Sequence, residues 1–564
     1  LAKKFSFLPV PILITLLLTV TVSACQPAAA QPLSGDLAAD APAPAQSVTP
    51  LVDPTAPAPA QPAATATVGP RALSVPAYLP EQLRDSLTVP DGWAVETDNP
   101  QADLRLDLAS GGAKGAVAWV YALAAPFATV DDEIQMDALA QFWQGRETAD
   151  GKLPFTTLLV DPSTAAVMDQ HLGPHAAGVR IVASNRLLDT AWKDRNTWAI
   201  LPFEALEPRW KVIALDGLSP VWKEFDPQRY PLTVYFGLSG SAELQDSLLA
   251  RGPLAETNRD PDLLTTVMVT GVTALVRGTA SLMETRGLTY PAQDIGEWLR
   301  EADILHISNE VAFAKNCPAP HNWEGLVFCS RPKYIELLED VGADVIELTG
   351  DHFQDWGPEA TLYTLELYKE RGWPYYGGGA NNTEAALPVK LEHNGNKIAF
   401  IGCNAKPKGY ATASDTTPGA LHCDFDQLTA SVRDLRQEGY LTIVTFQHLE
   451  YYSYDIHPIL RDDFNRVAGA GAAIVSGSQA HQPHALEIQQ DAFLHYGLGN
   501  LFFDQTNQGD APRTAFIDRH VIYNGRHIST ELLTIYLVDY ARSRPMTQPE
   551  RQALLEAIFQ ASGW

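Results

Sequence analysis

Between residues 262 and 540 the chain alternates short apolar runs, of strand length, with stretches of helical period. Five apolar runs end abruptly in polar residues. Asp303–Ile307 leads to Ser308, Asn309 and Glu310, and Asp344–Leu348 to Thr349, Gly350, Asp351 and His352. Leu441–Phe446 leads to Gln447, His448, Leu449 and Glu450, and Ala472–Val475 to Ser476 through His481. Phe493–Leu498 leads to Gly499 and Asn500. Between the runs lie three amphipathic helices. Pro358–Glu370 puts Leu362, Leu365 and Tyr368 on one face and stops at Gly372; Arg331–Val341 does the same with Tyr334, Leu337, Leu338 and Val341; Asp426–Gln437 precedes the Leu441 run. The pattern predicts an α/β fold in which strand ends converge on one rim, where sites form.

The stretch 76–255 has a similar but fainter rhythm. Ala116–Tyr121, Thr156–Val160, Arg180–Ala183 and Trp198–Leu201 read as strands. A helix opens at Asp131 and Asp132, carries Leu139, Phe142 and Trp143, and stops at Gly145; a second is capped by Ser163 and runs to Leu172. A second α/β domain is expected here. At the C-terminus, residues 541–564 hold a short amphipathic helix starting at Gln548 or Pro549, whose Leu554, Leu555, Ile558 and Phe559 pack on the fold.

The first 75 residues differ in kind. Lys3 and Lys4 precede an apolar stretch from Phe5 to Val22, and Val22-Ser23-Ala24-Cys25 resembles a bacterial lipobox. Residues 1–25 therefore read as a lipoprotein signal peptide cleaved before Cys25, which takes the lipid; an uncleaved membrane helix is the competing reading. Residues 26–75, dominated by Ala and Pro, have little to bury and read as an extended tether. The expected location is extracytoplasmic, with the protein held at the cell membrane by lipid.

Of the 564 residues, 46% are hydrophobic and 19% charged, enough for real cores. The net charge of −27 excludes a nucleic-acid partner, which needs a basic surface, and excludes adsorption to anionic lipid by charge alone. The segment WAILPFEALEPRWKVIALDG (198–217) and the helix around Leu139 resemble type 2 periplasmic solute-binding domains over residues 78–240. That resemblance implies a cleft for a small solute; a scaffold that binds nothing is the alternative.

A sharper resemblance covers 262–540. SNE (308–310), TGDHFQDWG (349–357), YYGGGANNTEAALPV (375–389), GNKIAFIGC (395–403), TFQHLEYY (445–452), GSQAHQPHALE (477–487) and YGLGNLFFDQ (496–505) occur in the order of the CapA family. These are poly-γ-glutamate capsule biosynthesis proteins of the calcineurin-like metallophosphoesterase superfamily. The resemblance implies a four-layer fold, two β-sheets between helices, with a metal site in loops at strand ends. It implies metal ligation by Glu310, Asp351, His448, Gln479 and His481, with His352 as the catalytic acid. Asn309, Glu450 and Asn500 line the substrate side; Glu450 also reads as a solvated loop acid and Asn500 as a turn residue. Asp355 reads as a helix cap ahead of Pro358, and His484 as a rim residue.

Two positions depart from the family pattern. Where the first strand should end in Gly-Asp, this chain has Gly271-Val272, and the first histidine of His-Pro-His is Gln479. Valine cannot ligate a metal. A divalent ion (Mn, Fe, Zn or Mg) is still implied, with one ion in place of two as the reduced form. Two functions follow. One is an anchored, metal-dependent hydrolase in capsule or cell-envelope polymer biosynthesis. The other is a non-catalytic accessory or solute-binding lipoprotein that docks to capsule-synthesis membrane proteins.

Of five cysteines, Cys25 is assigned to lipid. Cys317, Cys329, Cys403 and Cys423 allow three pairings. The local pairing, 317 with 329 and 403 with 423, closes a short loop beside a strand end in each case and is the expectation.

Overall fold

The computed structural model describes residues 70–564 apart from 148–152, 251–253, 255, 321–324 and 410. The signal segment, Cys25 and the tether up to residue 69 lie outside the described residues. No helix among the described residues is long and apolar enough to cross a membrane.

The second region is built on two sheets. One runs in the order Tyr375–Tyr376, Val345–Glu347, Ile304–Asn309, Leu264–Thr270, Thr514–Tyr523, Arg526–Leu537, Ser543–Pro545. The other runs Val389–His393, Asn396–Asn404, Leu441–Gln447, Ile474–Ser476, Ala492–His495, Leu486–Gln489. In both, the strands that lead to the motif residues pair in parallel, so each needs apolar side chains on two faces. The alternation is visible residue by residue. Val267, Val269, Ile304 and Val345 face the core between the sheets, together with Ile398, Phe400, Ile443 and Ile474 of the second sheet. Their neighbours Met268, Leu305 and Ile346 pack outward with Met283, Leu338 and Leu365, which come from helices Arg277–Arg286, Ile335–Asp340 and Pro358–Arg371. Ala399, Ile401, Val444 and Val475 pack outward with Leu428, Val432, Phe464 and Val467 of helices Phe425–Gln437 and Pro458–Ala470. Helix, sheet, sheet, helix is the four-layer order that the resemblance implied.

The C-terminal helix is Gln548–Ala561, started by a reciprocal cap between Thr547 and Glu550. Its Leu554, Leu555, Ile558 and Phe559 are buried in the same core that lies between the two sheets. Both expected disulfides are present, Cys317–Cys329 and Cys403–Cys423.

In the first region, the ten-residue strand Val117–Pro126 joins two half-sheets. Val117–Val120 pairs with Thr233–Phe236, and Tyr121–Ala124 pairs with Ala199–Pro202. Beyond Thr233–Gly240 lie Leu104–Ala109, Arg71–Val75 and Trp93–Thr97; beyond Thr197–Pro202 lie Thr157–Val160 and Val179–Ile181. The first strand begins at Arg71, ahead of the expected boundary at 76, because Leu73 and Val75 are buried in the core. Two helix starts differ from the reading of the sequence. Asp131 and Asp132 open no helix: Glu133–Ile134 pairs beside Ala214–Leu215, and the helix is Met136–Trp143. The second helix, Pro162–Leu172, is capped by Asp161, not Ser163, since the Asp161 carboxylate accepts from the amides of Ser163 and Thr164.

The two regions share packing. Val521, Tyr523 and Ile528, from the long strands of the second, are part of the first region's core. Phe127 packs edge-on against Phe493 at 5.3 Å, and Trp192 against Trp564 at 5.9 Å. Asp132 pairs with Arg551 at 2.7 Å, and the Trp222 indole donates to Glu531 at 2.7 Å.

Candidate metal centre

The carboxyl ends of the parallel strands of both sheets bring the motif residues to one edge, as expected for open α/β sheets. Glu310 directly follows Ile304–Asn309 and is fully buried. Asp351 and His352 follow Val345–Glu347 through the turn at Gly350. That turn needs glycine for space: a Cβ on Gly350 would stand 2.8 Å from the Cα of Glu310. Ligand atoms of Glu310, Asp351 and His352 all lie within 4.8 Å of one another.

Neither carboxylate oxygen of Glu310 makes a hydrogen bond. A buried carboxylate without donors is costly unless a cation or a proton meets it. Burial raises its affinity for a proton; His481 and His352 oppose this, while Asp351 and Glu450 add to it. His481 presents its Nε2 at 3.8 Å from Glu310 and 3.9 Å from Glu450. Its Nδ1 bonds Asn500 Oδ1 at 2.9 Å, and the Asn500 amide donates to the carbonyls of His481 and Pro512. An imidazole held at Nδ1 by an acceptor leaves Nε2 as the ligand atom. Asn500 therefore acts on the site through His481, not as a turn residue.

His352 is held in the same way. Its Nδ1 bonds Asp355 at 2.7 Å, and Asp355 also accepts from the Phe328 amide at 2.8 Å. Asp355 is not the helix cap; Gly357 precedes the Pro358 helix and makes no side-chain cap. Burial works against the charge on His352, but Asp355 and the carboxylates of Glu310 and Asp351 outweigh it and push the imidazole up to about 9.

The remaining candidates fall elsewhere around the edge. His448 turns to Asp463, with Nε2 at 2.9 Å, and its Nδ1 accepts from the Leu449 amide at 2.8 Å. Gln479 is buried, donates to Ser308 at 2.8 Å, and leaves its oxygen without a hydrogen bond. Asn309 donates to Val311 and Tyr368 behind the site. Val272 sits in an apolar cluster with Ala274, Val276, Val311, Phe328 and Phe503. His484 is buried rather than on a rim; its Nδ1 meets the Ser453 carbonyl at 2.6 Å, and burial holds it down to about 4.

Two residues that the motifs did not single out complete the edge. Gln447 clasps Asp351, accepting from its amide and donating to Oδ1 at 2.7 Å. Lys406 lies two residues past Asn396–Asn404 and places its ammonium 2.6 Å from Asp351 and 2.5 Å from Glu450. Burial disfavours that charge, but the two carboxylates hold the ammonium well above the usual lysine range. Burial alone would raise the Asp351 carboxyl; Lys406 and His352 bring it below the usual range. The position of Lys406 just beyond a strand end was the one available signal.

The donor set suits one divalent ion. Ligand atoms of Glu310, Asp351 and His352 converge, His481 Nε2 faces Glu310, and the unbonded Glu310 oxygens leave a place that a cation fits. It does not suit a second ion, because the apolar Val272 cluster stands where the further carboxylate would be.

A second concavity, of about 760 Å³, lies in the first region at the carboxyl ends of its strands, lined among others by Glu81, Asp161, Ser163, Asn185, Glu204 and Arg209. Ser163 Oγ donates to the Tyr78 carbonyl at 2.7 Å. The Asp161 carboxylate fills the start of helix Pro162–Leu172, and burial pushes Glu204 up to about 7.

Residues 266–505 match the family model described as bacterial capsule synthesis protein PGA_cap. Capsule biosynthesis protein CapA of Bacillus anthracis is 23% identical over 279 residues, which span 48% of this chain and 67% of that protein. PGA biosynthesis protein CapA of Bacillus subtilis (strain 168) is 24% identical over 282 residues, spanning 49% of this chain and 72% of the relative. Among solved structures, a 5'-nucleotidase precursor from Thermus thermophilus overlaps 53% of this chain and 58% of its own at 12% identity and a TM-score of 0.30. An ABC-type phosphate transport receptor from Vibrio cholerae overlaps 32% of this chain and 92% of its own at 10% identity and a TM-score of 0.25. The family match and the two relatives support the CapA family for the second region.

Proposed function

We propose that this chain, whose residues 266–505 match the capsule-synthesis family, is a lipid-anchored extracytoplasmic protein that hydrolyses a bond in a capsule or envelope polymer at a one-ion centre. The observation that carries the reading is the buried Glu310 carboxylate with no hydrogen bond to either oxygen, facing Asp351 and the imidazoles of His352 and His481. Glu310, Asp351 and His481 hold the ion. A divalent ion at such a place supplies Lewis-acid polarisation of a phosphoester or an activated carbonyl. His352 keeps a proton at Nε2 at neutral pH, because Asp355 holds Nδ1, and delivers it to the leaving group. Asn500 keeps His481 in the tautomer that ligates. Gln447 fixes Asp351. The solute expected of the first region would bind in that region's own concavity, beside Asp161 and Glu204.

The accessory reading draws on one observation: His448 is engaged by Asp463, away from the cluster. The two readings part on metal content and turnover. Purified full chain, loaded and dialysed, should retain about one divalent ion by elemental analysis and hydrolyse a generic phosphodiester with added Mn²⁺. Glu310→Gln should lose the ion, and His352→Gln should keep it while turnover falls by about 10²-fold or more. Retention of the ion by Glu310→Gln overturns the assignment; metal retention without turnover favours the accessory role.

A further inference from the structure

The ammonium of Lys406 is held as a metal ion would be held. It lies 2.6 Å from Asp351 Oδ2 and 2.5 Å from Glu450 Oε1, with no described group between. Glu450 Oε1 in turn stands 3.9 Å from His481 Nε2, which stands 3.8 Å from Glu310. Asp351, Lys406, Glu450, His481 and Glu310 thus form a closed ring, since Glu310 and Asp351 are themselves within 4.8 Å.

The lysine is not a loose surface side chain. Its backbone N–H donates to Asn404 Oδ1 at 2.9 Å, while the Asn404 amide donates to the Thr349 carbonyl and to Gln447 Oε1 at 2.8 Å each. Asn404 thereby ties the lysine loop to the strand ends that carry Asp351 and Gln447. The adjacent Cys403 is bonded to Cys423, which pins the strand at the point where the loop leaves it.

We infer that Lys406 is the resident second cation of this centre, standing in the half of the site that a second metal ion would occupy. This rests on the one-ion reading for its partner charge. Charge supports it: Glu310, Asp351 and Glu450 bring three carboxylates to the ring, and the Lys406 ammonium offsets part of that negative charge from a fixed position. A second divalent ion would have to displace the ammonium from both carboxylates. Fixing a cation covalently keeps part of the charge that a two-ion site needs while making that part independent of metal supply.

The test is Mn²⁺ titration of the full chain by calorimetry, with elemental analysis after dialysis, on wild type, Lys406→Met and Lys406→Arg. Wild type should take one ion. Lys406→Met, which keeps length and removes charge, should bind Mn²⁺ at least tenfold more tightly or take a second equivalent. Lys406→Arg should behave as wild type. Two ions in wild type overturn the inference, and this measurement does not depend on any variant folding. One ion in wild type with the same number and affinity in Lys406→Met overturns the inference but leaves the one-ion reading standing. No ion in wild type but one in Lys406→Met overturns the one-ion reading while upholding lysine as the resident cation. No ion in either overturns both.

Discussion

Different acceptors hold the Nδ1 atoms of the two imidazoles at the candidate site, which suits them to the different tasks proposed for them. His481 is oriented by a neutral amide, Asn500, and His352 by a carboxylate, Asp355. A carboxylate stabilises the imidazolium as well as the tautomer. Asp355→Asn should therefore move the His352 titration from about 9 down toward the ordinary histidine range near 6.5, followed by NMR of the imidazole protons in the metal-free protein. An unchanged titration would show that Asp355 does not set the charge. Gly350→Ala should displace Glu310 and weaken ion retention while the fold persists. The motif residues Glu310, Asp351, His352 and His481 were legible because each follows an apolar run. Asp355 was misread: a carboxylate three residues before a proline resembles a cap, and only the fold brings it under His352. Lys406 carried little signal of its own, since a lysine past a strand end gains meaning only when Asp351 and Glu450 arrive from other strands.

At the scale of elements, the sheets hold polar groups that the sequence gives no reason to place inside. His520 and His527, on the paired strands Thr514–Tyr523 and Arg526–Leu537, meet edge-to-face at 5.2 Å beside Phe493. Burial holds His527 and His484 at about 4 and His520 well below its ordinary value. A histidine with a lowered folded pKa is neutral in the fold and takes up a proton on unfolding. Its stabilising effect is complete above about pH 6.5 and is lost as pH falls toward 4. Thermal unfolding should therefore show a midpoint that starts to fall below about pH 6.5, and His527→Gln should flatten that slope. The helix Gln548–Ala561 was legible from its period, and so was its apolar face. Its depth was not, because an amphipathic pattern looks the same on a surface and between two sheets. Leu555→Ala or Ile558→Ala should cost about 2–5 kcal/mol in denaturant unfolding. A cost below about 1 kcal/mol would place the helix on the surface.

For the whole molecule, the sequence divides at a weak boundary near 255–262, yet the structure packs across it. Short-range periodicity reports which face of an element is apolar, not which partner covers it. Tyr523 in the first region's core, Phe127 against Phe493 and Asp132 with Arg551 join segments hundreds of residues apart. The regions should therefore unfold together. Calorimetry should show one transition for the part of the chain described, and Phe127→Ala should lower it by about 3–5 kcal/mol without splitting it. Two separated transitions would mean that the shared packing does not couple them. The family match to 266–505 covers the candidate metal centre, while the concavity of the first region lies outside it.

The most direct measurement is a crystal structure of the full chain grown or soaked with Mn²⁺, with anomalous scattering collected at the manganese edge. The account expects one anomalous peak in contact with Glu310, Asp351 and His481 Nε2, with the Lys406 ammonium still between Asp351 and Glu450. No peak at Glu310, or two peaks with Lys406 displaced, would contradict it.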